Sequence, residues 1–289
     1  VLSGVFDIQA DRAAAAAAEF ECPRFVSLEQ MAAEADAAIV AVPTTAHCEV
    51  GLELMARGLH VLVEKPIAAS IEEADRLTRA AREYGRVLQV GHLERFNPAV
   101  AALRSVLTVP LFFEVHRLSV FTPRSLDVDV VADLMIHDLD IVLALTGSFP
   151  EEIRAAGIRI LSPQVDIANV RLSFPGGIIA NLTASRVSTE RVRKLRLFQP
   201  GQYVSIDYAR QDCVVIGVDT ATRQVQVTPR PVQQAEPLAL QFSHFLACLA
   251  GEHQPEVDGA AATRALEAAR LILDKIEEHA AVVSRTLRR

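Results

Sequence analysis

Short apolar runs alternate with helix-forming stretches through the first third of this chain. Val1 to Phe6 is an apolar run ending in Asp7, Ala10 to Phe20 is rich in helix formers, and Ala37 to Val42 is a second apolar run ended by Pro43. The pattern then predicts a helix over His47 to Arg57 closed by Gly58 and a strand over Val61 to Val63. A helix over Ile71 to Tyr84 closed by Gly85 and a strand over Val87 to Val90 follow. Strands and helices alternating at this spacing predict a parallel, doubly wound sheet. Such sheets bind ligands at the carboxyl ends of their strands.

After about residue 95 the rhythm changes. Asn97 to Leu107 and Val130 to Thr146 read as helices. Leu111 to Val120, Ile153 to Leu161, Ile167 to Phe174, Ile178 to Val187, Val192 to Phe198 and Tyr203 to Tyr208 read as consecutive strands. Pro175-Gly176-Gly177 and Pro200-Gly201 supply turns between them. The expectation is a second α/β domain with a large, mainly antiparallel sheet, closed by helices over Ala239 to Leu249 and Ala260 to His279. The domain boundary is drawn at 95/96, giving units 1–95 and 96–289.

With 289 residues, 51% of them hydrophobic, the chain can build packed cores. A net charge of −7 leaves no overall basic field to hold nucleic acid or an anionic membrane. No run of about 18 apolar residues marks a membrane span. Cys22, Cys48, Cys213 and Cys248 form no C-x-x-C pair, so no metal site is expected, and reduced thiols in a cytoplasmic protein account for them.

A doubly wound nucleotide-binding domain opens with a strand, a G-x-G-x-x-G turn and a helix. The chain contains no such turn. Val1 to Asp7 instead has the features of a second strand, with an acidic residue where the adenosine ribose is gripped, so roughly 25 residues are expected to be missing upstream. Asp7 either accepts hydrogen bonds from a ribose 2′-hydroxyl, favouring NAD over NADP, or caps the next helix. Arg12 lies near enough to bear on that choice.

Two segments carry chemistry. Val61-Leu62-Val63-Glu64-Lys65-Pro66 brings a lysine to a rigid corner, because proline fixes φ and removes a donor. In Asp133-Leu134-Met135-Ile136-His137-Asp138-Leu139-Asp140, a regular helix would set positions 133, 137 and 140 within about 60° of one another. A carboxylate one turn from an imidazole orients the ring and raises its basicity, as proton abstraction from an alcohol requires; a satisfied structural Asp-His pair is the other reading.

E-K-P followed by D-x-x-x-H-x-x-D resembles, in order and spacing, the catalytic pattern of the Gfo/Idh/MocA oxidoreductases. By that resemblance Lys65 hydrogen-bonds the reacting hydroxyl, and His137, supported by Asp133, takes its proton. Lys65 as the base is the alternative. The resemblance further implies contacts to NAD from Asp7, Pro43, Thr44, His47, Glu64, Lys65 and Pro66, although Thr44 or Thr45 equally suits a helix N-cap.

Gly91-His92-Leu93-Glu94-Arg95-Phe96-Asn97-Pro98-Ala99 is similar to the nucleotide-sugar members of the family, as are the stretches around Ser185-Arg186 and Lys194 to Phe198. This places Arg95, Asn97, His137, Asp140 and Arg186 against the substrate. Asn97 as a helix cap and arginines on solvated strand edges are the plainer readings. The implied reaction is NAD-dependent oxidation of a sugar hydroxyl, foremost C3 of UDP-N-acetylglucosamine. Its product suits a transaminase in lipopolysaccharide assembly. A free sugar or cyclitol substrate, or a non-catalytic cofactor sensor, is the alternative. Asn181, Thr183 and Ser185 alternate with Leu182 and Ala184, and the polar face suits a homodimer or homotetramer.

Overall fold

The computed structural model describes residues 1–122, 128–219 and 221–287. The chain forms two compact units, one of Val1–Gly91 with His244–Thr263, the other of His92–Ser243 with the chain from Arg264 onward.

The first unit is built on a parallel sheet of three strands, β1 (Ala37–Val40), β2 (His60–Glu64) and β3 (Leu88–Gly91), in the order β1-β2-β3. Helices α1 (Ala10–Glu19) and α2 (Leu28–Glu34) precede β1, and α3 (Thr44–Ala56) and α4 (Ile71–Glu83) alternate with the strands. Val61, Leu62 and Val63 are all buried, as befits a central parallel strand covered on both faces. α3 and α4 pack closely at Gly51, where an added Cβ would come within 2.7 Å of Leu77 Cδ2. α4 starts with reciprocal caps: Ser70 Oγ accepts from the Glu73 amide at 3.2 Å and the Glu73 carboxylate accepts from the Ala69 amide at 3.0 Å.

Three expectations are corrected here. Val1 to Phe6 is not a sheet strand: only Val5 bridges, to Arg24, with its N–H on the Pro23 carbonyl at 3.0 Å and its own carbonyl accepting from Phe25 at 2.8 Å. A strand requires a partner along its length, and among the described residues no second strand lies beside this run. α3 starts three residues before the expected His47, because Pro43 takes the N-cap and its carbonyl accepts from Ala46 at 2.8 Å. Neither threonine is the cap. α2 was not foreseen, although Ser27 and Gln30 mark its start: Ser27 Oγ accepts from the Gln30 amide at 3.1 Å, and Gln30 Oε1 from the Val26 amide at 3.0 Å.

The second unit holds eight strands, β4 (Phe112–Val120), β5 (Glu152–Ile158), β6 (Ile167–Ser173), β7 (Ile179–Ser188), β8 (Val192–Gln199), β9 (Gln202–Asp207), β10 (Asp212–Val218) and β11 (Val225–Arg230). Their order is β11-β10-β9-β8-β4-β7-β6-β5, antiparallel throughout except for β4 beside β7. The last two strands escaped the sequence pattern. β11 is exposed at every position, so its short Val225-Gln226-Val227-Thr228 alternation marks no buried face.

One face of the sheet, carrying Phe113, Val115, Leu182, Leu195 and Val204, forms a core with α5 (Pro98–Arg104), α6 (Ile136–Thr146) and α8 (Gly259–Leu287). α8 lies so close to β5 that a Cβ on Gly157 would meet Ile276 Cγ2 at 2.8 Å. Helix α7 (Pro237–Leu249) precedes it. Among the described residues no helix is long and apolar enough to cross a membrane.

Candidate active site

In the first unit the expected residues sit at the carboxyl ends of the strands. Pro43 and Thr44 follow β1 at the N-terminus of α3, where unpaired amides favour an anion such as a diphosphate. Glu64, Lys65 and Pro66 end β2, and the Lys65–Pro66 peptide is cis. Glu64 lies across from Gly91 on β3, and a Cβ there would come within 2.8 Å of Glu64 Oε2, so the glycine makes room for this carboxylate.

His47 has another task than the expected one. It is buried, and its ring nitrogens lie 2.9 Å from the Pro66 carbonyl and 2.9 Å from that of Val42. With both polar atoms committed to the backbone, it ties the Lys65–Pro66 corner to the turn after β1 rather than offering a nitrogen to a cofactor.

Asp7 does not cap α1, whose N-cap is Gln9. Oδ1 accepts from the Gln9 amide at 2.7 Å and shapes the turn before α1, while Oδ2 has no hydrogen-bond partner among the described residues. A shallow cavity of about 300 Å³ lies beside it, lined by Phe6, Ile8, Arg24 and Val26. An acidic oxygen beside an apolar hollow fits the adenosine end of NAD.

In the second unit Asp133 and His137 lie on neighbouring turns, but not on one regular helix. Val131–Met135 form a π turn that passes into α6 at Ile136. The wider turn shifts Asp133 off the even stripe expected with 137 and 140, which both lie on regular α6. Asp140 is drawn instead into a buried two-pronged pair with Arg95, Nε to Oδ2 at 2.7 Å and Nη2 to Oδ1 at 3.2 Å. Two expected substrate contacts thus satisfy each other.

Asn97 is likewise corrected to a structural role. Its Oδ1 accepts from the Ala99 amide at 3.0 Å, capping α5, and its Nδ2 donates to Glu94 at 3.1 Å and to the Tyr208 carbonyl at 3.0 Å. Arg186, also expected at the substrate, is buried against Asp166 at 3.2 Å and donates to the Val165 carbonyl at 3.0 Å. Burial pushes the Asp166 carboxyl up. The Ser162 hydroxyl and the amides of Ile160, Leu161 and Ser162 outweigh this, and hold it at about 2.

A cluster behind α6 escaped the sequence reading. Arg117 on β4 closes a fork on Asp138, Nε to Oδ2 at 2.6 Å and Nη2 to Oδ1 at 3.0 Å, and donates through Nη1 to Glu94 at 2.9 Å. Tyr208 lies with its ring centroid 5.1 Å from the guanidinium carbon. Burial pushes the Asp138 carboxyl up and works against the charge on Arg117, but Asp138 and Glu94 together keep the guanidinium firmly protonated. Burial, then the Asp138 charge, drives the Tyr208 hydroxyl well above its ordinary value. The signal was present in the strand itself. Phe113 and Val115 face the core, so Arg117 two residues on must do the same and needs a counter-charge. His92 was also passed over; its buried ring stands edge-on to His137, 6.3 Å between centroids at 78°.

Residues 1–92 match the oxidoreductase family with an NAD-binding Rossmann fold, GFO_IDH_MocA, and residues 104–202 match the GFO/IDH/MocA C-terminal domain. The chain is 40% identical over 273 residues, 93% of its length, to the UDP-N-acetylglucosamine 3-dehydrogenase of Acidithiobacillus ferrooxidans, covering 87% of that protein. A solved structure of that dehydrogenase superposes with a TM-score of 0.91 at 38% identity, over 96% of this chain and 90% of the other. The NAD-dependent scyllo-inositol 2-dehydrogenase of Bacillus subtilis is 24% identical over 80% of this chain and 72% of its own.

Proposed function

Since the chain belongs to the Gfo/Idh/MocA family of NAD-binding oxidoreductases, we propose that it oxidises C3 of UDP-N-acetylglucosamine to the 3-keto sugar. The near-full-length similarity to an enzyme of that name carries this reading. The inositol dehydrogenase is more distant and matches over less of both chains.

Bound NAD supplies the hydride acceptor. Asp7 would accept hydrogen bonds from the adenosine ribose, and the amide end of α3 after Pro43 and Thr44 would hold the diphosphate. The Lys65 ammonium stabilises negative charge as it develops on the reacting oxygen. His137, oriented by Asp133, takes the hydroxyl proton as hydride leaves the carbinol carbon.

The 3-keto product is suited to transamination, and we place this step in the cytoplasm, in the assembly of lipopolysaccharide sugars. We read a homo-oligomer from the outer face of the large sheet. There Phe112, Phe198 and Tyr203 form a row of rings 5.6 and 5.1 Å apart, with Ile179 beside Phe112 on β7 and Asn181 and Thr183 further along the same face. Light scattering should give a dimer or tetramer mass; a clean monomer would remove this part of the proposal.

The decisive experiment incubates the protein with NAD and a panel of UDP-sugars, free sugars and inositols while NADH absorbance is followed. Turnover of UDP-N-acetylglucosamine that is lost in Lys65→Ala is expected. Turnover of an inositol but of no nucleotide sugar would replace the substrate assignment. Cofactor binding without turnover of any alcohol would favour a sensor.

A further inference from the structure

Two buried arginines grip the helical segment that carries His137, one on either side of the π turn. Arg186 on β7, 6% exposed, donates to the Val128 carbonyl just ahead of the helix and to Val165 at 3.0 Å. The Val165 carbonyl also accepts from Val130 at 2.9 Å, so arginine and helix start share one anchor. At the far side Arg117, 4% exposed, holds Asp138 in its fork. The π turn over Val131–Met135 and the imidazole of His137 lie between these two grips.

A π turn is rare because its hydrogen bonding competes poorly with the α form, and it persists where its surroundings fix it. Here both of its flanks are fixed from the sheet. Asp138 directly follows His137, and a two-pronged guanidinium–carboxylate pair fixes a plane as well as a distance. The backbone at His137 therefore cannot rotate without opening the fork. Glu94, which accepts from both Arg117 and Asn97, links this fork to the 92–97 segment that sets His92 beside His137.

We propose that Arg117 and Arg186 are positioning residues that hold the π turn and so aim His137 at the substrate proton. This rests on the reading of His137 as the proton acceptor. Neither arginine needs to touch substrate.

The test compares Arg117→Lys, Arg186→Lys and Asp138→Asn in the full chain. Lysine keeps the charge but cannot close a fork, and asparagine keeps the carboxylate's shape. Each variant should lower kcat by about 10- to 100-fold with KM little changed, as expected for misaimed groups. The ring resonances of 13C-labelled His137 should move in the cofactor-free protein. In a His137→Asn background, Arg117→Lys should remove no further turnover. Folded variants with wild-type kcat and an unmoved His137 resonance would overturn the proposal, as would losses that multiply in the double variant. Should Arg117→Lys fail to fold, Asp138→Asn carries the same three readouts. Full turnover by His137→Asn alone would instead refute the base assignment, while the resonance shift still reports whether the arginines aim the ring.

Discussion

The two units hold their functional groups by different means. In the first, Pro43, Thr44 and Lys65 stand at strand ends and Asp7 just after the Val5 bridge, and the contacts around them are mostly to nearby turns and backbone, such as Asp7 on the Gln9 amide and His47 beside two carbonyls. In the second, the helix bearing Asp133 and His137 is fixed by buried charges drawn from far along the chain, with Arg117 holding Asp138 and Glu94, and Arg186 holding Asp166. The first arrangement follows from topology, since a parallel sheet exposes the same edge whatever its loops contain. The second depends on complete pairing, because a buried ion stripped of its partner costs more than the pair contributes.

This contrast can be broken most forcefully at Arg117. Arg117→Met should destabilise the protein by about 3–5 kcal/mol in chemical denaturation, because the buried Asp138 and Glu94 lose their counter-ion. A loss under about 1 kcal/mol would mean that the cluster does not hold the second unit.

Asp166 offers a pH test of the same idea. Its folded pKa of about 2 lies below the ordinary value of 3.8, so its contribution is complete above about pH 4 and disappears as pH falls through 2. That contribution is about 2 kcal/mol. Asp166→Asn should be less stable than the parent at neutral pH and approach it at low pH, as measured by denaturant midpoints across that range. Parallel curves would show that the carboxylate charge is not what anchors the loop.

In the first unit the effects should be smaller and more local. His47→Phe removes the imidazole N–H available to the Val42 or Pro66 carbonyl and should cost about 1–3 kcal/mol, with faster amide exchange confined to the two turns it joins. Ser70→Ala removes the α4 cap and should cost about 1 kcal/mol. If either substitution matched Arg117→Met in size, the distinction between the two units would fail.

The residues of the site were legible to different depths. Lys65 was visible because a β-branched run ending in E-K-P is local information, and the structure keeps it at the end of β2. The Asp133–His137 pair was visible as spacing, though a π turn at Val131–Met135 breaks the regular helix between them, and Asp140 was misassigned because its partner Arg95 lies far from it in sequence. Asn97 takes the helix cap that was its plainer reading, whereas Arg95 and Arg186 meet carboxylates instead of the expected substrate. Whether a charged side chain meets a ligand or a counter-ion depends on residues such as Asp140 and Asp166 that lie far from it in sequence.

What the sequence determined by itself was the periodicity of its elements, hence a parallel sheet followed by a mainly antiparallel one, and the chemical types available at the strand ends. Tertiary structure alone decided that residues 244–263 return to the first unit, that β10 and β11 extend the large sheet, and that Arg117 meets Asp138 and Glu94. The physical reason is range. Period and turn chemistry act over a few residues, whereas the cost of burying charge is settled only when distant segments pack together.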